Sequence, residues 1–266
     1  MTLFLMLQKE LRELATSYKL LFVPAAFALL GGGQPIAYKL LPTLLKNASN
    51  LPPGAVLQIP VPAPGAVVAS ALGQFGQLGM VLLILVAMGT IAGERQTGVA
   101  ATVLTKPVAR GAYLAAKIAA YGLLAAFSLA LGVAVTAFYT DLLIGPVNWA
   151  GAFLGGVLYL PDLLLAVAAA VAFSAFMPTP LAAGGAALVA YIVVSTVPRY
   201  LGSFARQAYP VALAERAAAA MIGKPLPNAK ALGLTFPGAR LPFTAVLILA
   251  LGFTLLGWLL LRRQEI

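Results

Sequence analysis

The chain has 266 residues, of which 62% are hydrophobic and only 9% are charged. A water-soluble domain carries roughly 25% charged residues because its surface must face water, so this composition excludes an ordinary soluble protein. The formal net charge of +10 is compatible with nucleic-acid binding. In so apolar a chain, however, basic residues at the ends of membrane spans are the commoner cause. Membrane lipid is therefore an expected partner and nucleic acid is not.

The sequence contains neither cysteine nor histidine. The chain therefore has no disulfides or thiolate metal sites, and it lacks the commonest general base and metal ligand. We expect no catalytic residue, no metal site and no cofactor site in this chain.

Residues 2–19 are predicted to form an amphipathic helix. Its apolar residues recur every three or four positions and lie on one helical stripe: Leu3, Leu7, Leu11, Leu14 and Tyr18. A helix of this kind in front of a membrane span is expected to lie in the headgroup plane. The alternative is that residues 2–19 only extend the first span.

Long apolar stretches account for most of the remaining chain. About 20 helical residues are needed to cross a bilayer core about 30 Å thick. The stretches are continuously apolar rather than alternating, which excludes barrel strands. The sequence predicts an all-α membrane protein in which residues 1–266 form a single transmembrane domain. Its six transmembrane helices are expected at 20–41, 67–92, 113–140, 151–177, 181–202 and 242–261.

The second span contains polar amides among small residues. Gln74 and Gln77 lie between three glycines that are spaced three residues apart. Small residues allow helices to approach closely, and an amide in lipid seeks a hydrogen-bonding partner across that contact. We expect this face to border the substrate path or a second subunit, with an ordinary intramolecular packing seam as the alternative.

Between the second and third spans, the polar segment 93–112 is predicted to form a cytoplasmic coupling loop. Residues 94–104 can form about three helical turns, which Lys106-Pro107 ends because the residue before proline disfavours helix. We therefore expect a short cytoplasmic helix that is connected rigidly to two membrane helices.

Asp162 is the one acidic residue that falls well inside a predicted span. A charge within the membrane is costly and often functional, so Asp162 is a candidate lining of a substrate path. Alternatively, it reaches the outer water or pairs with a base in the segment 199–241. That long basic segment is predicted to be an extracytoplasmic connection, since long loops are translocated largely regardless of their charge.

Lysine and arginine set the predicted orientation, because they are enriched in short cytoplasmic segments. With six spans, three basic segments fall on one side, and the loop on the opposite side carries Asp141 and no base. Both termini and the 93–112 loop are therefore predicted to be cytoplasmic. The basic residues concerned are Lys9, Arg12, Lys19, Arg95, Lys106, Arg110, Arg262 and Arg263.

The 93–117 segment resembles the signature of type-2 ABC transporter permeases. That signature is Glu-x-x-x-Gly, then Leu-Ser/Thr-x-Pro-Val/Leu-x-Arg, then a lysine seven residues on. It is matched by Glu94, Gly98, Leu104-Thr105, Pro107-Val108, Arg110 and Lys117. The opening LQKELRELATSYKLLFVP is similar to the N-terminal helix of the same family. This sequence departs from the family at Gln96, where a second acid is common.

The resemblance implies a non-catalytic permease subunit of a bacterial exporter. It further implies a homodimer or related heterodimer in the cytoplasmic (inner) membrane, with two separate ABC ATPase subunits docked below. Residues 1–19 would be the interfacial elbow and 94–104 the coupling helix. The residues expected to couple to the ATPase are Glu94, Arg95, Gly98, Leu104, Thr105, Pro107 and Arg110.

An ATP-binding motif is missing from the sequence itself. No G-x-x-x-x-G-K-[ST] phosphate loop occurs, and the sole Gly-Lys pair, Gly223-Lys224, is followed by proline. If transport is driven by ATP, a partner chain must hydrolyse it.

Two other classes of function compete with the permease. An ion-coupled secondary transporter, or a channel-like protein without an ATPase, usually needs ionisable groups at mid-membrane, and Asp162 is the one candidate. An intramembrane enzyme would need a catalytic constellation that is hard to assemble from Asp141 and Asp162. The transported substrate does not follow from the sequence.

Overall fold

The computed structural model describes residues 2–48, 62–98, 109–197 and 240–263, and within these ranges the regular elements are helices. Their bounds, in chain order, are α1 Thr2–Thr16, α2 Lys19–Ala48, α3 Pro64–Gln74, a π-helix Phe75–Gly79, α4 Met80–Ala87, α5 Ala92–Gln96, α6 Arg110–Leu143, α7 Trp149–Phe176, α8 Pro180–Thr196 and α9 Arg240–Arg263.

Five helical stretches are long and apolar enough to cross a bilayer, and they coincide with predicted spans one to four and six. These are Lys19–Pro42, Pro64–Gln96, Arg110–Leu143, Trp149–Phe176 and Thr244–Leu261. The counterpart of predicted span five is α8, which is apolar but has 17 residues. Its predicted continuation beyond residue 197 lies outside the described residues. The all-α membrane fold is confirmed, and the count of six spans stays a prediction.

The centre of the bundle is α7, whose side chains are buried along most of its length. It packs against α4, α6, α8 and α9, while α2 packs along α6 on the other side. A run of small side chains at 166–170 is almost fully buried in α7, which lets its neighbours approach closely. Small residues serve this purpose between membrane helices, where lipid provides little hydrophobic driving force for association.

The N-terminal helix α1 covers Thr2–Thr16, and the side that it packs against the bundle coincides only in part with the apolar stripe. Leu14 is buried and Leu7 packs against the core. In contrast, Leu3 and Tyr18 are exposed, and the acidic Glu10 is only 3% exposed. An acidic side chain is buried here because α6 supplies a basic partner for it, which periodicity within α1 cannot reveal.

The π-helix shifts the register of the second span. Gly76 and Gly79 lie directly against the side chains of Tyr159 and Phe27, so these two glycines belong to an intramolecular packing seam. Gln77, between them, is exposed. A π-turn holds more residues than an α-turn, so positions that follow it are rotated relative to a regular helix.

The predicted coupling helix is only partly visible in the described residues. Helical structure begins at Ala92 and ends at Gln96, and Gly98 has a φ of 75°. This left-handed conformation suits glycine. The helix expected over 94–104 is thus helical at 94–96 and interrupted at Gly98, and positions 99–108 lie outside the described residues. The same is true of 198–239, which includes nearly all of the predicted connection at 199–241.

Candidate functional site

Charged side chains from three helices meet at one end of the bundle. The elements involved are α1, which precedes the first span, α5, which ends the second, and α6, which begins the third. We call the group formed by Lys9, Glu10, Glu13, Glu94 and Lys117 the ion cluster. It joins residues that are as far as 107 positions apart in the sequence.

Lys117 is the centre of the ion cluster. Its Nζ lies 2.6 Å from Glu94 Oε1 and 3.2 Å from both carboxylate oxygens of Glu10. Lys9 Nζ lies 2.9 Å from Glu10 Oε1 and 3.3 Å from Glu94 Oε1. The side chain of Lys117 is 1% exposed and that of Glu94 is 11% exposed. These contacts tie α5 to both α1 and α6.

Tyr113, one turn before Lys117 on α6, completes the coordination of Glu94. Its hydroxyl donates a hydrogen bond to Glu94 Oε2, and Lys117 Nζ lies 4.9 Å from the centroid of its ring. A cation over an aromatic face is attracted by the ring quadrupole, more strongly when water is excluded. Both oxygens of Glu94 are thus engaged by α6.

Neutralisation within the ion cluster explains how these charges are tolerated. Burial opposes the charged form of Lys9, but hydrogen bonds to Glu13 and Glu10 and the nearby carboxylate charges raise the pKa of Lys9 above its ordinary value. The carboxylate oxygens of Glu10, Glu13 and Glu94 lie within 4.8 Å of one another, a spacing that suits a metal ion. Here the ammonium groups of Lys9 and Lys117 bind those carboxylates.

Arg95 and Arg110 donate hydrogen bonds to backbone carbonyls at the ends of neighbouring helices. Arg95 Nη2 donates to the backbone carbonyls of Ser174 and Met177, where α7 ends. Arg110 Nη1 lies 2.8 Å from the carbonyl oxygen of Leu261, close to the end of α9. Both predicted coupling residues therefore make contacts within the chain.

The outward-facing part of the predicted coupling element is short. Gln96, Thr97 and Gly98 are exposed, whereas Glu94 and Arg95 are turned toward the bundle. Leu104, Thr105 and Pro107, which were also predicted to couple to an ATPase, lie outside the described residues.

The polar residues predicted for the substrate path lie elsewhere in the fold. Gln74 Oε1 accepts a hydrogen bond from Gln34 Nε2 at 3.0 Å. Gln77 is exposed on the second span. Asp162 is 1% exposed, and its Oδ2 accepts a hydrogen bond of 2.8 Å from the Tyr191 hydroxyl.

Asp162 is buried within the described bundle, so its side chain does not face open solvent there. Its Oδ1 has no partner among the described residues, and the basic segment that was predicted as a pairing partner lies almost wholly outside them.

Sequence reasoning missed Lys9, Glu10, Tyr113 and Lys117 as members of the site. A signal was present for Lys117, which stands within the apolar third span and therefore requires an acidic partner. The segments at the same predicted membrane face contain Glu10, Glu13 and Glu94. Choosing among these acids, however, requires the packing of α1 against α6.

These features define a multi-pass helical membrane protein in which charged side chains join α1, α5 and α6 at one end of the bundle. The model of the ABC-2 family transporter protein matches residues 5–212, and the chain belongs to this family. The chain is also similar to the uncharacterized transmembrane protein YxlG of Bacillus subtilis (strain 168). They are 34% identical over 138 residues, which cover 52% of this chain and 54% of the relative.

Proposed function

We propose that this chain is the permease subunit of a bacterial ABC exporter. Two copies, as a homodimer or a related heterodimer, form the substrate path in the cytoplasmic membrane, and two separate ATPase subunits drive it. Family membership over residues 5–212 supports this proposal, as does the absence of a phosphate loop from the sequence.

The ion cluster is the observation that carries the proposal. Glu94 lies two residues before the exposed Gln96 and Thr97, and it is held by Lys117 at 2.6 Å and by Lys9 at 3.3 Å. A load applied to the exposed residues therefore reaches α1 and α6 through Glu94, in addition to α4 through the chain. In this mechanism ATP-driven closure of the motor shifts the permease between two conformations.

In the proposed orientation the end with the ion cluster is cytoplasmic, and so are both termini. Lys9, Lys19, Arg95 and Arg110 belong to that end, in line with the enrichment of basic residues in cytoplasmic segments. The exposed Phe4 and Leu5 of α1 suit an interfacial elbow whose apolar side chains enter the inner leaflet.

Gln77 is the described residue that best fits a contact with the second copy or the path. It is exposed on a span, and an amide facing hydrocarbon without a partner is costly. We also keep Gln74 as a candidate for this surface. Its side chain accepts a hydrogen bond from Gln34.

Thr97→Arg is expected to weaken binding of the proposed ABC ATPase partner at least tenfold, because a bulky cation would occupy the exposed docking surface. The measurement is co-purification and permease-stimulated ATPase activity in proteoliposomes. Thr16→Arg is the matched control. Both threonines are exposed, and each hydroxyl bonds to carbonyls three and four residues earlier in its own helix.

Undiminished binding by the Thr97 variant would contradict docking at α5. Equal losses for both variants would indicate a general effect of added charge at this membrane face. In either case the proposed coupling role of Gln96, Thr97 and Gly98 would be rejected.

Asp162 is the observation that favours a second candidate, an ion-coupled transporter. Its buried carboxyl group has one oxygen without a partner among the described residues, as expected of a group that gains and loses a proton. Transport that continues without ATP but stops when the proton gradient is dissipated would establish this function instead.

A further inference from the structure

Ser174, near the end of α7, connects this helix to the segment between α4 and α5. Its side chain is fully buried. Its Oγ accepts hydrogen bonds from the backbone N–H groups of Ile91 at 3.0 Å and Ala92 at 2.9 Å, and it donates one to the carbonyl of Met88 at 2.7 Å. One hydroxyl group thus satisfies three backbone groups of another element.

The need for this contact follows from how α5 begins. The first N–H groups of a helix have no partner within it and are usually satisfied by a Ser, Thr, Asp or Asn at the N-cap. The N-cap position of α5 is Ile91, which offers no such side chain. Ser174, 82 residues away from Ala92 in the sequence, performs the capping from a different helix.

Two further contacts fasten the other end of α5 to the same place. Arg95 donates to the carbonyls of Ser174 and Met177, and Gln96 Nε2 lies 3.4 Å from the carbonyl oxygen of Pro178. The short helix is therefore bound to the end of α7 at both of its own ends.

We infer that Ser174 is a positioning residue that makes α5 and the end of α7 move as one body. This inference rests on the proposed function, in which the ATPase loads α5. That load reaches α4 and α6 through the covalent backbone, because these helices precede and follow α5 in the chain. Through Ser174 the load also enters α7, the helix against which α8 and α9 pack.

The first test measures the contact itself and needs no ATPase. In Ser174→Ala, hydrogen–deuterium exchange of the peptide containing Ile91 and Ala92 is expected to be about tenfold faster, as loss of a hydrogen bond predicts. The matched control is Ser128→Ala, because Ser128 is equally buried but bonds to Leu124 within its own helix. If Ser174→Ala does not fold, Ser174→Cys should give a smaller acceleration, since its thiol is a weaker hydrogen-bonding group.

Unchanged exchange in the Ser174 variant, or equal acceleration in both serine variants, would overturn the inference. The first result would mean that Ser174 does not fix α5. The second would mean that any buried serine change loosens the bundle.

The second test asks whether the contact transmits load. Vanadate trapping of the wild-type complex with its ATPase is expected to alter exchange both at α5 and at the α7–α8 junction. In Ser174→Ala the change at α5 should remain and the change at the junction should be clearly smaller, because the contacts of Arg95 and Gln96 persist. An undiminished junction change would overturn transmission through Ser174. If vanadate trapping alters exchange nowhere in the wild-type complex, the proposed function is rejected. The first test alone then decides whether Ser174 fixes α5.

Discussion

Lys117→Met is expected to destabilise the protein by about 3–5 kcal/mol, the usual cost of removing one partner from a buried ion pair. Lys117 is 1% exposed and contacts the carboxylates of both Glu10 and Glu94. Methionine keeps the length of the side chain but leaves these two acids without their central cation. In detergent the midpoint of thermal unfolding should fall by roughly 10 °C.

Lys39→Met is the control for this change. Lys39 is exposed on α2, and an exposed substitution of this kind usually changes stability by no more than about 0.5 kcal/mol. A double-mutant cycle sharpens the result: Glu94→Gln should cost less in the Lys117→Met background than alone, because their interaction has already been lost. Strictly additive effects would show that the cluster does not act as a unit.

Charge reversal at Glu94 would not separate coupling from stability. A lysine at position 94 would approach Lys117, which lies 2.6 Å from the present carboxylate, and it would remove the acceptor of the Tyr113 hydroxyl. Variants of the exposed Thr97 avoid both effects, so they are the better test of ATPase docking.

Gly31→Ala is expected to destabilise the protein by about 2–3 kcal/mol through overpacking. A Cβ at this position would lie 2.5 Å from the carbonyl oxygen of Gly132 and 2.6 Å from Thr136 Oγ1. The first of these is backbone, so α2 and α6 would have to move apart along their contact. Thermal unfolding of the purified protein measures the loss.

Gly33→Ala is a control two residues away in the same helix. Among the described residues, no atom outside the chain neighbours and the surrounding helix backbone lies within 4 Å of a Cβ placed there, and alanine favours helix over glycine by roughly 0.5–1 kcal/mol. Gly33→Ala should therefore be neutral or slightly stabilising. Equal losses for the two variants would mean that glycine flexibility, rather than close packing, is what α2 requires.

The packing at Gly31 and Gly33 also illustrates what the sequence could not resolve. Both glycines stand in the same Gly-Gly-Gly run, yet one lies against a neighbouring backbone and the other faces open space. The second span shows the same limitation, because Gly76 is buried and the adjacent Gln77 is exposed. Local pattern assigns a residue to a helix, but the face that it occupies depends on the partner helices.

Hydropathy was sufficient to predict the five helical stretches that are long and apolar enough to cross a bilayer, since the thickness of the hydrocarbon fixes how many apolar residues a crossing helix needs. The signature from Glu94 to Lys117 was sufficient to indicate the family, which the match over residues 5–212 confirms. Tertiary structure alone decided which acids Lys117 binds, why Glu10 is buried, and that Ser174 caps α5. Each of these depends on side chains brought together from distant positions, because a buried charge or an uncapped helix end can be satisfied by any suitable group that packing delivers.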